Sequence, residues 1–224
     1  MRMENISQIT ITGDGIALDG ILGLPEQPKG VIVFAHGSGS GRFSPRNQFV
    51  ARILEAGGFA TLLLDLLSPD EADDRRKIFD IDLLADRLLL AQKWLQTHAQ
   101  TRDLRAGYFG ASTGAGAALQ AAAREPDAVG AVVSRGGRPD LAGPYLSHVT
   151  APTLLLVGGE DGPVIGMNEE GLGQLTCHKR LMIIPGATHL FEEPGTLDQV
   201  AHEALSWFSR YLPPASRQAK EFLQ

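Results

Sequence analysis

Residues 108–119 read YFGASTGAGAAL. Three glycines and one serine fall between Gly110 and Gly116. An apolar run, Leu104–Phe109, precedes them and an alanine-rich run, Ala117–Ala123, follows. The first run reads as a buried strand and the second as a helix, so the glycines mark a tight strand-to-helix turn. Two kinds of chemistry use such a turn. Gly110, Gly114 and Gly116 fit a G-x-x-x-G-x-G spacing whose bare backbone would cradle a dinucleotide phosphate, with Arg135 after the next apolar run suited to a 2′-phosphate. Alternatively, Gly110-Ala111-Ser112-Thr113-Gly114 fits G-x-S-x-G, in which small neighbours let a serine take strained backbone angles and lift its hydroxyl clear of a sheet.

The chain on either side of this turn bears on the choice. Short apolar runs at Val31–Ala35, Ala60–Leu64, Leu104–Phe109, Val129–Val133, Thr153–Val157 and Leu181–Ile184 read as strands buried on both faces. Longer helical patterns cover 47–56, 80–98, 114–124 and 196–212. The 80–98 pattern puts Ile81, Leu84, Leu88, Ala91 and Leu95 on one face. The 196–212 pattern opens on Thr196 and Gln199, which fit a capping box, and carries a Leu205, Phe208, Leu212 stripe. Residues 6–24 alternate loosely and read as two antiparallel strands. Alternating strands and helices predict a mostly parallel sheet with helices on both faces. The charged stretch 66–79, containing LSPDEADDRRK, reads as a mobile loop at a strand's C-terminal edge. No Pro/Gly/Ser-rich linker interrupts the chain, so a single domain over 1–224 is expected.

A dinucleotide fingerprint normally opens such a fold at its first strand. Here the glycines fall mid-chain, and no Tyr-x-x-x-Lys pair accompanies them. The serine reading has more support. A serine hydroxyl needs a base to take its proton and a third group to orient that base, in the chain order Ser, acid, His for this kind of elbow. LLLVGGEDGP ends one later strand and supplies Asp161; LMIIPGATHLFEEPG ends the last and supplies His189. Glu160 is a rival acid, and a cap on the following helix is the lesser role open to Asp161. His98, His148, His178 and His202 lie on helices or element edges and read as ordinary polar residues. Cys177 has no elbow around it, and no His, Cys or Glu spacing resembles a zinc site. The loop AHGSGSGR, residues 35–42, suits a second oxyanion donor: the Ser38 amide first, the Gly37 amide second, beside the Thr113 amide at the elbow.

The 224 residues are 43% hydrophobic, enough for a full core, and the formal net charge is −6. That balance argues against nucleic acid and anionic membrane surfaces as partners. A lone cysteine, no membrane-length apolar run and an N-terminus, MRMENISQIT, without a secretory pattern predict a cytoplasmic protein.

The segments HGSGS, GASTG, GGEDGPV and GATHLF together resemble the α/β-hydrolase superfamily, and within it the dienelactone-hydrolase-like group, over about residues 16–212. The resemblance implies the α/β-hydrolase fold, with an eight-stranded, mostly parallel sheet and a minimal lid or none. It implies catalytic Ser112, Asp161 and His189, oxyanion amides at Ser38 and Thr113, and no metal or cofactor. Members acting on dienelactone itself carry cysteine in the elbow and an acidic residue where this chain has His36-Gly37. The serine here therefore points to a small carboxylic ester as substrate, with lactones, thioesters and peptides as alternatives, a non-catalytic ligand-binding homologue as the reading from another class, and a homodimer compatible with the chain. Gly37, Phe79 and Arg135 are expected to contact substrate, with a structural ion pair as the other role open to Arg135. So few apolar groups in 66–79 predict a preference for short esters.

Overall fold

The computed structural model describes residues 5–212. Both ends of the expected domain, residues 1–4 and 213–224, lie outside the described residues. The chain builds one eight-stranded sheet in the order β1-β2-β4-β3-β5-β6-β7-β8. Strands β1 (Asn5–Gly13) and β2 (Ile16–Leu24) form an antiparallel hairpin, and β2 pairs antiparallel with β4 (Ala60–Leu64). From β4 onward the pairing is parallel, through β3 (Val31–Ala35), β5 (Ala106–Ala111), β6 (Val129–Arg135), β7 (Thr153–Gly158) and β8 (Lys179–Ile184). Every residue of β3 through β7 is buried, the pattern of strands covered on both faces.

Helices α1 (Pro45–Ala56) and α7 (Thr196–Tyr211) cover one face, where Phe34, Phe109, Val133 and Phe208 form the core. Helices α4 (Ile81–Thr97) and α5 (Thr113–Arg124) cover the other, over Tyr108, Leu62 and Val132. Local chemistry starts these helices where the sequence suggests. Ser44 accepts the Asn47 amide ahead of α1, with Pro45 in the first turn, and Asp80 accepts the Leu83 amide at 3.0 Å ahead of α4. The wide hairpin and the parallel crossovers bring the C-terminal ends of β3, β5, β6, β7 and β8 to one edge, which is where such sheets place ligands.

Four sequence expectations need correction. The strand carrying the elbow runs Ala106–Ala111, two residues later than the apolar run, because Leu104 belongs to the turn before it. Helix α6 (Gly162–Gln174) had no legible pattern, since it buries only Val164, Asn168 and Gly171 and so shows no apolar stripe. The capping box at Thr196 does not form. Gly195 is the cap, in the left-handed region, and the Thr196 hydroxyl donates to the Glu193 carbonyl at 2.8 Å.

The fourth correction concerns 66–79. Two short helices, α2 (Pro69–Ala72) and α3 (Arg75–Ile78), occupy this stretch. Ser68 and Glu71 form a reciprocal capping box, and Asp74 caps α3 by accepting the Arg76 amide. The Glu71 carboxylate also accepts from Lys77 Nζ at 3.1 Å and Arg87 Nη2 at 3.0 Å. Desolvation opposes its charge, but the Ser68 amide, Lys77 and Arg87 outweigh this and hold its pKa below the usual carboxylate range. The charged residues of the stretch that reads as a mobile loop are the fasteners of this segment.

Candidate active site

Ser112 sits between β5 and α5 at φ 50°, ψ −123°, a conformation that costs a non-glycine residue about 1–3 kcal/mol. Close packing on both sides holds it there. A Cβ on Gly110 would stand 2.5 Å from Ala115 Cα, and one on Gly114 would stand 2.2 Å from the Ala35 carbonyl oxygen. Only glycine lets the turn close on itself and the head of α5 press against the end of β3. The two glycines of the G-x-S-x-G stretch thus serve packing at the elbow. The Ser112 carbonyl accepts from the Ala115 and Arg138 amides, both at 3.1 Å, and its amide donates to the Arg135 carbonyl at 3.3 Å.

Asp161 and His189 come together from two other strand ends. Asp161 Oδ2 accepts from His189 Nδ1 at 2.6 Å. A carboxylate only accepts, so the imidazole proton lies on Nδ1 and the Nε2 lone pair is left free. Asp161 precedes α6 but its side chain makes no capping bond, so the carboxylate is committed to the histidine. Glu160 is exposed, and its backbone amide donates to the Ala187 carbonyl at 2.9 Å. With the Gly159 amide donating to the Ile184 carbonyl at 2.8 Å, main-chain bonds join the acid turn to the histidine loop alongside the Asp161–His189 bond. Within that loop the Glu193 carboxylate receives both the amide and the hydroxyl of Thr188, which holds the Glu193 pKa below the usual range. Phe191 takes φ 57° and buries its ring completely. Gly136, next to Arg135, lies between the elbow and this loop: a Cβ there would be 3.4 Å from His189 Nδ1. Among the described residues, the Ser112 hydroxyl makes no side-chain hydrogen bond, a contact that often tightens only when substrate binds.

The other side of Ser112 is built from side chains. Gly37 approaches it most closely, with its would-be Cβ 2.9 Å from Ser112 Cβ. The Ser38 amide is already engaged, donating to the Thr113 hydroxyl at 3.1 Å. One residue that sequence reasoning did not single out fastens this loop. His36 accepts the Leu66 amide on Nε2 at 3.0 Å, which leaves Nδ1 to donate to the Gly37 carbonyl at 3.0 Å. Burial lowers the His36 pKa, against smaller upward pulls from the Gly37 carbonyl and Asp65. Further along, Asp65 receives both the backbone amide and the guanidinium of Arg42.

Between this loop and helices α2, α3 and α4 lies a cavity of about 740 Å³. Gly37, Ser38 and Thr113 form its end nearest Ser112, Leu67, Ile78 and Leu84 give apolar wall, and Asp19, Arg42, Arg46 and Asp65 give polar wall. Of the expected substrate contacts, the structure brings Gly37 to the cavity. It does not bring Phe79, which is exposed beneath the Arg75 guanidinium, and Ile78 lines the wall instead. Nor does Arg135 reach the wall. It is buried, and among the described residues no carboxylate pairs with it.

Comparison with known proteins fits this geometry. A model of the dienelactone hydrolase family matches residues 18–212. A crystal structure of a dienelactone hydrolase from Anabaena variabilis is 54% identical, with a TM-score of 0.91 over 94% of this chain and 99% of that one. Est1E from Butyrivibrio proteoclasticus, 18% identical, shares the fold with a TM-score of 0.76 over 92% of this chain and 98% of its own. Proteins of two Mycobacterium tuberculosis strains named as phosphoribosyl transferases are 54% identical over 205 residues, or 92% of this chain. The chain spans 46% of their length, less than half of each.

Proposed function

The chain belongs to the dienelactone hydrolase family, and on that premise we propose that it is a serine hydrolase of small carboxylic esters. The observation that carries this reading is the 2.6 Å Asp161–His189 bond on the same sheet edge as a serine held at φ 50° on a glycine-flanked elbow. In the proposed mechanism His189 Nε2 takes the Ser112 proton as Oγ attacks the ester carbonyl. Asp161 fixes the tautomer and stabilises the imidazolium that forms. The tetrahedral oxyanion is met by the amides of Thr113 and Gly37. Gly37 replaces Ser38 in this role because the Ser38 amide is spent on the Thr113 hydroxyl. Each such donor contributes roughly 3–4 kcal/mol to the transition state. The alcohol leaves with the proton from His189. Water then attacks the acyl-enzyme through the same base and frees the acid.

The cavity volume falls within the ~300–1,000 Å³ range of small-molecule sites. We therefore extend the short-ester expectation to esters with one sizeable, partly polar group, seated against Leu67, Ile78 and Leu84. Because the chain matches less than half of the mycobacterial proteins, we assign hydrolysis to the matched part. The transferase chemistry of their name we assign to the part this chain does not match. The test is a steady-state assay on p-nitrophenyl acetate with wild type and Ser112→Ala. A loss of at least ~10⁴-fold in kcat with unchanged thermal unfolding supports the nucleophile. Retained turnover in the variant refutes it.

A further inference from the structure

Arg135 poses a problem that the hydrolytic reading does not absorb. Its side chain ends beside Phe191, with the guanidinium carbon 5.9 Å from the ring centroid. The residue is 8% exposed, yet Nε and Nη1 are buried without a hydrogen-bond partner. The charge that bears on it is another cation's, that of Arg46 at the start of α1, whose own Nε is also buried and unpartnered. Arg46 Nη1 is occupied by Glu192 at 3.0 Å, and Glu192 is turned largely to solvent. Burial, and then Arg46, push the Arg135 pKa down to about 10, so the group keeps its proton and its charge at neutral pH.

Arg135 packs on Phe191 and Arg46 pairs with the next residue, Glu192, so both leave buried donors unpartnered beside one loop, where a negative charge would offset them. Arg46 also lines the cavity described above, but Arg135 does not, so an anion held by both lies at the margin of that cavity rather than within it. We propose that Arg135 and Arg46 together bind a small free anion of halide size against the His189–Phe191 loop. The anion would accept N–H bonds from both arginines and offset their mutual repulsion. It would also seat the Phe191 ring two residues beyond the base, making Arg135 a positioning residue for His189.

Thermal unfolding in sodium chloride against sodium gluconate, at constant ionic strength, tests this without using activity. Wild-type Tm is expected to rise saturably with chloride, by about 2–4 °C once the site is filled well above its Kd. Arg135→Met should lose the response, and in gluconate should unfold no lower than wild type, since it removes an unpaired buried charge. Arg46→Met should weaken the response. Should Arg135→Met fail to fold, chloride-35 line broadening on wild type, reversed by bromide and reduced in Arg46→Met, serves in its place. A wild-type Tm indifferent to chloride, or a response that survives Arg135→Met, overturns the proposal. So does a preference for carboxylate-bearing over neutral esters that vanishes in Arg135→Met without any chloride effect, because the anion would then belong to the substrate.

Discussion

The two flanks of Ser112 are held by different means. On the acid–base flank, main-chain bonds lock the Asp161 turn to the His189 loop through Gly159 and Glu160, and one side-chain bond, Asp161 to His189, completes it. On the oxyanion flank, side chains do the holding: His36 to Leu66, Thr113 to Ser38, and Asp65 to Arg42. A flank built on backbone keeps its shape through most substitutions and fails at one functional bond. A flank built on side chains degrades in steps, each latch contributing separately.

The largest effect is expected at the acid–base bond. Asp161→Asn should lower kcat on p-nitrophenyl acetate by roughly 10³–10⁴-fold, because an amide favours the wrong histidine tautomer. Glu160→Gln should stay within about 3-fold, since Glu160 is exposed and only its backbone amide joins the lock. Reversed effects would move the acid to Glu160 and break the contrast between the flanks.

A smaller, graded loss is expected on the oxyanion flank. His36→Ala should lower kcat by about 10-fold with KM little changed, less than the ~10²–10³ lost when an oxyanion donor itself is removed. His36→Gln, able to accept and donate at once, should recover part of it. The same residue predicts a pH effect on folding. Its folded pKa is lowered from 6.5, so the unfolded chain takes up a proton that the folded chain resists. His36 therefore gives its full stabilisation above about pH 6.5. That stabilisation falls away as pH drops through the lowered folded value. Tm measured against pH should fall less steeply below pH 6.5 in His36→Gln than in wild type, and equal slopes would remove His36 from the account.

The smallest effect is expected at the cavity's far wall. Ile78→Trp should lower kcat/KM for bulky esters by about 10-fold while acetate esters change less than 2-fold. Equal losses for both would place the substrate outside this cavity.

The same contrast explains what the sequence made legible. The sheet, the elbow and the order Ser112, Asp161, His189 follow from apolar runs and from glycines at strand ends, each a local backbone requirement. Asp161 was separable from Glu160 only once the geometry showed which carboxylate reaches the ring. The latches were not legible, because His36, Leu66, Ser38 and Thr113 meet from three separate strand ends and no local pattern announces such a meeting. Helix α6 hid because it buries so few residues. The segment 66–79 hid because its charges, which look solvated one by one, converge on Glu71 and Asp74. Arg135 was noticed as a charge beyond a strand, but its want of an acidic partner is a three-dimensional fact.

The central claim is that Ser112 is a nucleophile activated by His189. Intact-protein mass spectrometry after exposure to a fluorophosphonate measures it most directly, since phosphorus bonds to an activated serine oxygen as fluoride departs. Wild type is expected to gain one adduct, mapped by peptide digestion to Ser112. Ser112→Ala should gain none, and His189→Ala should label at least ~10²-fold more slowly. An unlabelled wild type, or an adduct that persists in Ser112→Ala, would contradict the account.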